Sequence, residues 1–165
     1  MAKRLKSVLP LFLLLLLFTF PAGATEGQRL GGYELAALKG PEVLATDTLL
    51  GKPVLLVFFT PSCPYCKTEL TELNHVAKEY EEKGALMLAL APGWTPHEPL
   101  EKTVESWEVT NIPVYTDGKP GFFDAFGVRG VPFSVIFDKE GNVARSYSGL
   151  VATEEIRKVL DELLE

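Results

Sequence analysis

The sequence is short of cysteine, histidine and clustered positive charge. Of its 165 residues only two are Cys and two are His. A small fold stapled by several disulfides is therefore excluded, and the thiols alone are too few for a four-thiolate zinc site. Past Lys3, Arg4 and Lys6 there is no basic run, and 22 Asp+Glu outweigh 16 Lys+Arg to leave a net charge of −6. Phosphate backbones repel such a chain, so a nucleic-acid partner is excluded. No internal repeat, low-complexity tract or long linker interrupts the sequence, and no apolar run reaches the roughly 20 residues that span a bilayer core. What is present is 47% hydrophobic and 23% charged, enough apolar residue to build one core, and one domain is the natural count.

The longest apolar run, Val8 to Phe20, is broken only by Pro10 and Thr19 and is followed by Ala22-Gly23-Ala24. Charged, then apolar, then small-x-small is the layout of an export signal. Its 13 residues are too few for a permanent anchor, so cleavage after Ala24 is expected, with an uncleaved tether as the alternative. Either way residues 25–165, the folded domain, lie outside the cytoplasm. No cysteine stands at the cleavage position, which excludes lipid attachment there. Losing residues 1–24 removes three cations and no anion, so the remaining 141 residues carry −9.

Hydrophobic patterning predicts an α/β domain. Tyr33 to Leu50 reads as a loose amino-terminal hairpin. Val54 to Phe59 is a continuous apolar run entered through Gly51-Lys52-Pro53, the signature of a strand buried on both faces. Leu70, Leu73, Val76, Ala77 and Tyr80 then recur at helical spacing up to Gly84, and Ala85 to Ala91 is a second buried strand. Strand, helix and strand within about 40 residues predict a right-handed crossover with a parallel pair. A second helix from Pro99 to Val109, a short strand at Val114–Thr116 and a short helix within Gly121–Gly127 follow. Phe133–Asp138 and Val143–Ser148 flank a glycine-bearing turn and predict an antiparallel pair. Ile156, Val159, Leu160, Leu163 and Leu164 mark a closing helix capped by Thr153. The predicted result is a mixed sheet covered on both faces.

The chemistry is placed at Cys63-Pro64-Tyr65-Cys66, between the central strand and the first long helix. Positions i and i+3 on a helix have α-carbons about 5 Å apart, inside the window a disulfide needs. The helix dipole, the free N–H groups of the first turn and an S–H from Cys66 all favour Cys63 as a thiolate. A thiol with a pKa near 8.5 is only about 3% ionised at pH 7, and lowering it by about two units takes roughly 2.7 kcal/mol. The dipole supplies about 0.3–2 kcal/mol, so hydrogen bonds to sulfur must supply the rest. Pro64 suits the first turn because it lacks an N–H. A passive staple is the competing reading, but a four-residue ring stabilises by only about 2 kcal/mol. Redox exchange is favoured over a staple, and metal binding is the third reading.

Glu69, three residues beyond Cys66, could relay the proton that a resolving thiol must lose, or be an ordinary acid near a helix start. Val131-Pro132 precedes an apolar strand; a cis bond there would turn the chain sharply, and spacing alone does not distinguish it from a routine proline at a strand start. His75 reads as a surface residue of the helix. His97 either rims a site or belongs to a polar loop. Trp107, Phe122, Phe123 and Phe126 read as core.

Two segments, Lys52 to Leu70 around Cys63-Pro64-Tyr65-Cys66 and Phe126 to Gly141 around Val131-Pro132, together resemble the TlpA/ResA class of extracytoplasmic thioredoxin-like proteins. The resemblance extends over most of residues 33–164. It implies a thioredoxin fold, with Ala91 to Asp117 as the helix and strand inserted into it. It also implies Cys63 as attacking thiol, Cys66 as resolving thiol, Glu69 as acidic partner and Pro132 as a cis-proline facing the disulfide, with Pro64, Tyr65 and Val131 beside the substrate. Ser62 replaces the usual tryptophan, Thr60-Pro61 replaces an alanine-containing turn, and Val57 stands where cytoplasmic thioredoxins keep a buried aspartate. The expected function is reduction of selected protein disulfides, such as those of apocytochrome c, by a monomer that a membrane electron donor re-reduces. No cofactor is needed, because two sulfurs carry both electrons. The Pro64-Tyr65 pair also occurs in glutaredoxins and some periplasmic isomerases, so a disulfide oxidant or isomerase is one alternative. A copper-handling chaperone and a thiol peroxidase are others. The first of these lacks a histidine before the Pro132 strand and methionine clusters, and the second lacks an arginine near the motif.

Overall fold

The computed structural model describes residues 28–119 and 121–165. The proposed leader, residues 1–24, lies outside the described residues. The elements run β1 (Glu34–Ala37), β2 (Val43–Ala45), a 3₁₀ turn (Thr46–Leu49), β3 (Val54–Phe58), α1 (Pro64–Lys83), β4 (Leu86–Ala91), α2 (His97–Ser106), β5 (Val114–Thr116), α3 (Phe122–Ala125), β6 (Phe133–Phe137), β7 (Val143–Ser148) and α4 (Thr153–Leu164). The strands form one sheet in the order β2-β1-β5-β4-β3-β6-β7. β3, β4 and β5 are parallel, whereas β6 runs antiparallel to β3, β7 to β6, and β1 to both β5 and β2.

The apolar run of β3 divides between two cores because successive side chains point to opposite faces. Leu55, Val57 and Phe59 join one cluster with Leu70, Leu73, Ala77 and Tyr80 of α1, Leu100 and Val104 of α2, and Ile156, Val159 and Leu160 of α4. Val54, Leu56 and Phe58 join the other, with Leu30, Leu49, Phe122, Val135 and Phe137. The central strand is thus covered on both faces, as its composition predicts. α1 stops where Gly84 takes φ 97°, a left-handed conformation that an L side chain resists.

Several local readings need correction. α2 begins at His97, two residues before Pro99; a first-turn N–H has no helical partner, so proline is tolerated there. His97 is the first residue of α2 and not part of the preceding loop, and its Nε2 lies against the carbonyl of Leu38, tying α2 to the end of β1. The cap of α4 is Ala152, not Thr153. The Thr153 hydroxyl instead donates to Glu72 Oε2 at 3.3 Å and links α4 to α1. His75 is exposed on α1, and Trp107 and Phe122 are buried, with Phe123 and Phe126 packed against the second cluster.

The sequence patterning misses Asn74, a buried polar residue in the middle of α1. Its Oδ1 accepts from the N–H groups of Thr110 and Asn111 at 2.9 and 2.7 Å, and its Nδ2 donates to the Glu108 carbonyl at 3.2 Å. One side chain therefore satisfies three backbone groups of the turn leading into β5, which fixes the inserted α2–β5 segment on α1.

Candidate active site

The parallel strands β3, β4 and β5 end together, and the chain leaving β3 turns through Thr60–Ser62 into α1 at that end of the sheet. The Cys63 N–H donates to the Thr60 carbonyl at 3.1 Å, which closes this turn. Cys63 is the N-cap of α1, with extended backbone (φ −93°, ψ 109°), and Pro64 opens the helix. The Cys66 N–H donates to Cys63 Sγ at 3.1 Å. It is one of the first-turn N–H groups that have no helical partner, and in the oxidised pair it is directed at the outer sulfur.

Cys63 and Cys66 are joined by a disulfide, with α-carbons 5.2 Å apart. The two sulfurs are not equivalent. Cys63 is 8% exposed and Cys66 is 0% exposed, because one sits at the helix mouth and the other faces the core one turn inside. Tyr65, between them, is largely exposed, as is Pro64.

The segment before β6 reaches the same place from across the sheet. The Val131 carbonyl oxygen lies 3.6 Å from Cys63 Sγ, and the Val131-Pro132 peptide bond is cis. Pro132 is buried and Val131 half-buried. A shallow groove of about 360 Å³ runs along Gly127–Phe133 to Ser148 and Gly149. The two motifs separated by some 65 residues in sequence thus meet at one sulfur.

Glu69 is 1% exposed and stands one turn beyond Cys66 on the buried face of α1. Its Oε1 accepts from the hydroxyl of Ser134, and its Oε2 has no hydrogen-bond partner. Burial pushes this carboxyl above the usual carboxylate range, and the neighbouring Glu72 adds to the rise. The Ser134 hydroxyl and the Val151 backbone oppose it without cancelling it. The sequence reading missed Ser134, although alternation along β6 carries the signal: Val135 and Phe137 face the second cluster, so Ser134 and Ile136 face α1.

A stability consequence follows for Glu69. Below the ordinary carboxylate range the group is protonated both folded and unfolded and costs nothing. As pH rises through its elevated folded pKa, the buried carboxyl must ionise and stability falls. Glu69→Gln should therefore match the wild type in acid and exceed it at neutral pH, as read from urea midpoints at the two pH values. A neutral-pH midpoint below that of the wild type contradicts the assignment.

Among the described residues, no group of three or more His, Cys, Asp or Glu side chains is arranged to hold a metal ion. The structure brings Cys63, Cys66, Glu69, Val131 and Pro132 together and leaves both histidines elsewhere.

Residues 19–164 match the Redoxin family. The chain is 29% identical over 146 residues to the thiol-disulfide oxidoreductase ResA of Geobacillus thermodenitrificans, covering 88% of this chain and 82% of that protein. It is 30% identical over 142 residues to the thioredoxin-like protein YneN of Bacillus subtilis, covering 84% and 81%. Among solved structures, the exposed lipoprotein thioredoxin Etrx1 of Streptococcus pneumoniae superposes with a TM-score of 0.70 at 24% identity, covering 79% of this chain and 98% of that one. That likeness is one of fold. A family match running nearly the length of the domain, with a Cys-x-x-Cys disulfide where the central strand meets its helix, makes this chain a member of the Redoxin family and a thiol-disulfide oxidoreductase of the ResA and thioredoxin type.

Proposed function

We propose that the protein is an exported reductant of selected protein disulfides, and that Cys63 makes the attack. The observation that carries this reading is the asymmetry of the pair: 8% exposure for Cys63 against 0% for Cys66. Only the outer sulfur can meet another polypeptide. In the reduced protein, the Cys63 thiolate attacks one sulfur of the substrate disulfide. A Cys63–substrate bond forms, the substrate S–S bond breaks, and its second sulfur leaves as a thiolate that takes a proton from water. Cys66 then passes its proton to the Glu69 carboxylate and attacks Cys63. The Cys63–Cys66 bond forms, the Cys63–substrate bond breaks, and the remaining substrate sulfur leaves as a thiolate that takes a proton from water, so two electrons pass from the pair to the substrate.

Pro64, Tyr65, Val131 and Pro132 border the outer sulfur and are assigned to substrate contact. The Val131 carbonyl, 3.6 Å from Cys63 Sγ, is well placed to align an extended polypeptide. Residues 1–24 act as the export signal, and the exposed lipoprotein among the similar folds accords with an extracytoplasmic site. Apocytochrome c is a fitting substrate class, a membrane donor returns the electrons, and the protein works as a monomer.

The test is trapping. With Cys66→Ser the second step is blocked, so mixed disulfides through Cys63 should accumulate in the extracytoplasmic compartment and dissolve on adding dithiothreitol. Failure to trap any polypeptide contradicts the reading. Direction is tested separately by the potential of the Cys63/Cys66 couple: a value near or above about −120 mV, the range of strong oxidants, makes the protein an oxidant instead.

A further inference from the structure

We propose that Ser134 is a positioning residue for the resolving step, holding the Glu69 carboxyl through Oε1 while Oε2 exchanges a proton with Cys66. The inference rests on the proposed relay through Glu69. Three observations carry it. Ser134 is 0% exposed, and its hydroxyl donates to Glu69 Oε1. Glu69 Oε2 is buried with no side-chain partner, and the Val151 backbone is the one further donor near the carboxyl. And β6, which bears Ser134, begins directly after the Val131-Pro132 segment that touches Cys63. A single strand thus indexes the outer sulfur at its start and the acid of the inner sulfur two residues beyond Pro132.

Serine suits the task because its hydroxyl bond survives the proton transfer. In the carboxylate it donates to Oε1. In the carboxylic acid the proton sits on Oε2, and Oε1, now the carbonyl oxygen, still accepts from Ser134. The acid can therefore gain and lose a proton without a rotation of its side chain. A side chain that stays put is the condition for fast transfer to a thiol one helical turn away. The titratable groups around Glu69 are Cys66 and Glu72 on its own helix, and Glu72 is engaged by Thr153 of α4. β6 contributes Ser134, and the loop before α4 contributes the Val151 backbone; both are uncharged.

The resolving step can be isolated with dithiobis(nitrobenzoate) and the reduced protein. Attack by Cys63 releases the first nitrothiobenzoate, and attack by Cys66 on the resulting mixed disulfide releases the second. The rate of the second release is followed against pH by stopped flow. Without the Ser134 hydroxyl the carboxylate loses a charge-assisted hydrogen bond, so its proton affinity rises. Ser134→Ala and Ser134→Val should move the midpoint of the profile upward by about one pH unit and slow the second release about tenfold below it. Ser134→Thr, which differs from Ser134→Val only in carrying a hydroxyl, should retain the wild-type profile. Added to Glu69→Gln, Ser134→Ala should change nothing further, because a residue acting through Glu69 has nothing left to position. The proposal is overturned if the Thr and Val variants share one profile, or if the Ala and Val variants keep the wild-type midpoint while Glu69→Gln shifts it. If Glu69→Gln also leaves the profile unmoved, the relay itself fails along with it.

Discussion

Cys63→Ser is expected to lower the rate of protein-disulfide reduction by at least about 10³-fold, the scale on which removing a nucleophile acts, while costing the fold only about 2 kcal/mol. The second figure comes from the ring the disulfide closes. Linking residues three apart restricts the unfolded chain very little, so its loss removes about 2 kcal/mol, against more than 4 for a loop of about 100 residues. The contrast separates a working couple from a staple: a staple would show a stability loss as its main effect. Cys66→Ser should have a different outcome. It keeps the outer thiol, so the first nitrothiobenzoate is still released at a substantial rate, whereas turnover stops. Insulin reduction, coupled to dithiothreitol, measures the turnover, and urea midpoints of the oxidised wild type and the variant measure the stability. A Cys63→Ser protein that keeps turnover within tenfold of the wild type would remove the basis for assigning the attack to this sulfur.

Much of this site was legible because the chain writes its chemistry in local pattern. The central strand lies in the apolar run Val54 to Phe59, the helix after it begins on a proline, and the Cys-x-x-Cys spacing follows from the helical turn; all three are short-range features that survive into the fold. The alternation of Val54 to Phe58 between two cores was likewise implicit in a strand buried on both faces. What was not legible depends on residues far apart in sequence. Glu69 finds Ser134 across 65 positions, and Asn74 finds the Glu108–Asn111 turn across more than 30. Nothing in the neighbourhood of either polar residue announces its partner. The misreadings at helix starts have the same origin. Thr153 has the composition of a cap, but Glu72 on another helix offers its carboxylate to the hydroxyl, and tertiary contact overrides the local preference. Proline's preference for the first helical position points to Pro99 as the start of α2, but the first turn as a whole accepts proline and the helix begins at His97.

Phe58→Ala is expected to be the most damaging single truncation in the second core, costing about 3–5 kcal/mol. Phe58 is 0% exposed at the end of the central strand, paired with Leu90 on β4 and Phe133 on β6. Its ring lies 5.0 Å from that of Phe123 and 5.6 Å from that of Phe133, with Phe126 at 6.2 Å and Phe122 at 6.4 Å. Removing it leaves a cavity among four aromatic side chains contributed by α3, the turn after it and β6, and of these Phe133 is held by its strand pairing. Against a typical domain stability of about 5–15 kcal/mol, that loss is a large share of the total. Urea denaturation should show a lower midpoint with an unchanged slope, the mark of lost stability without a change in the surface exposed. The sulfurs should be spared, because Cys63 and Cys66 belong to the first cluster, on the opposite face of the same strand, and the disturbance should fall on Val131, which packs against both clusters. The folded fraction of Phe58→Ala should then release both nitrothiobenzoates at wild-type rates. Phe59→Ala, one residue on, should instead disturb the exchange as well as the fold: Phe59 points into the cysteine cluster and packs against Trp107 at 6.0 Å. Equal effects of the two truncations on the exchange rate would mean that the sheet does not insulate the couple from its far side.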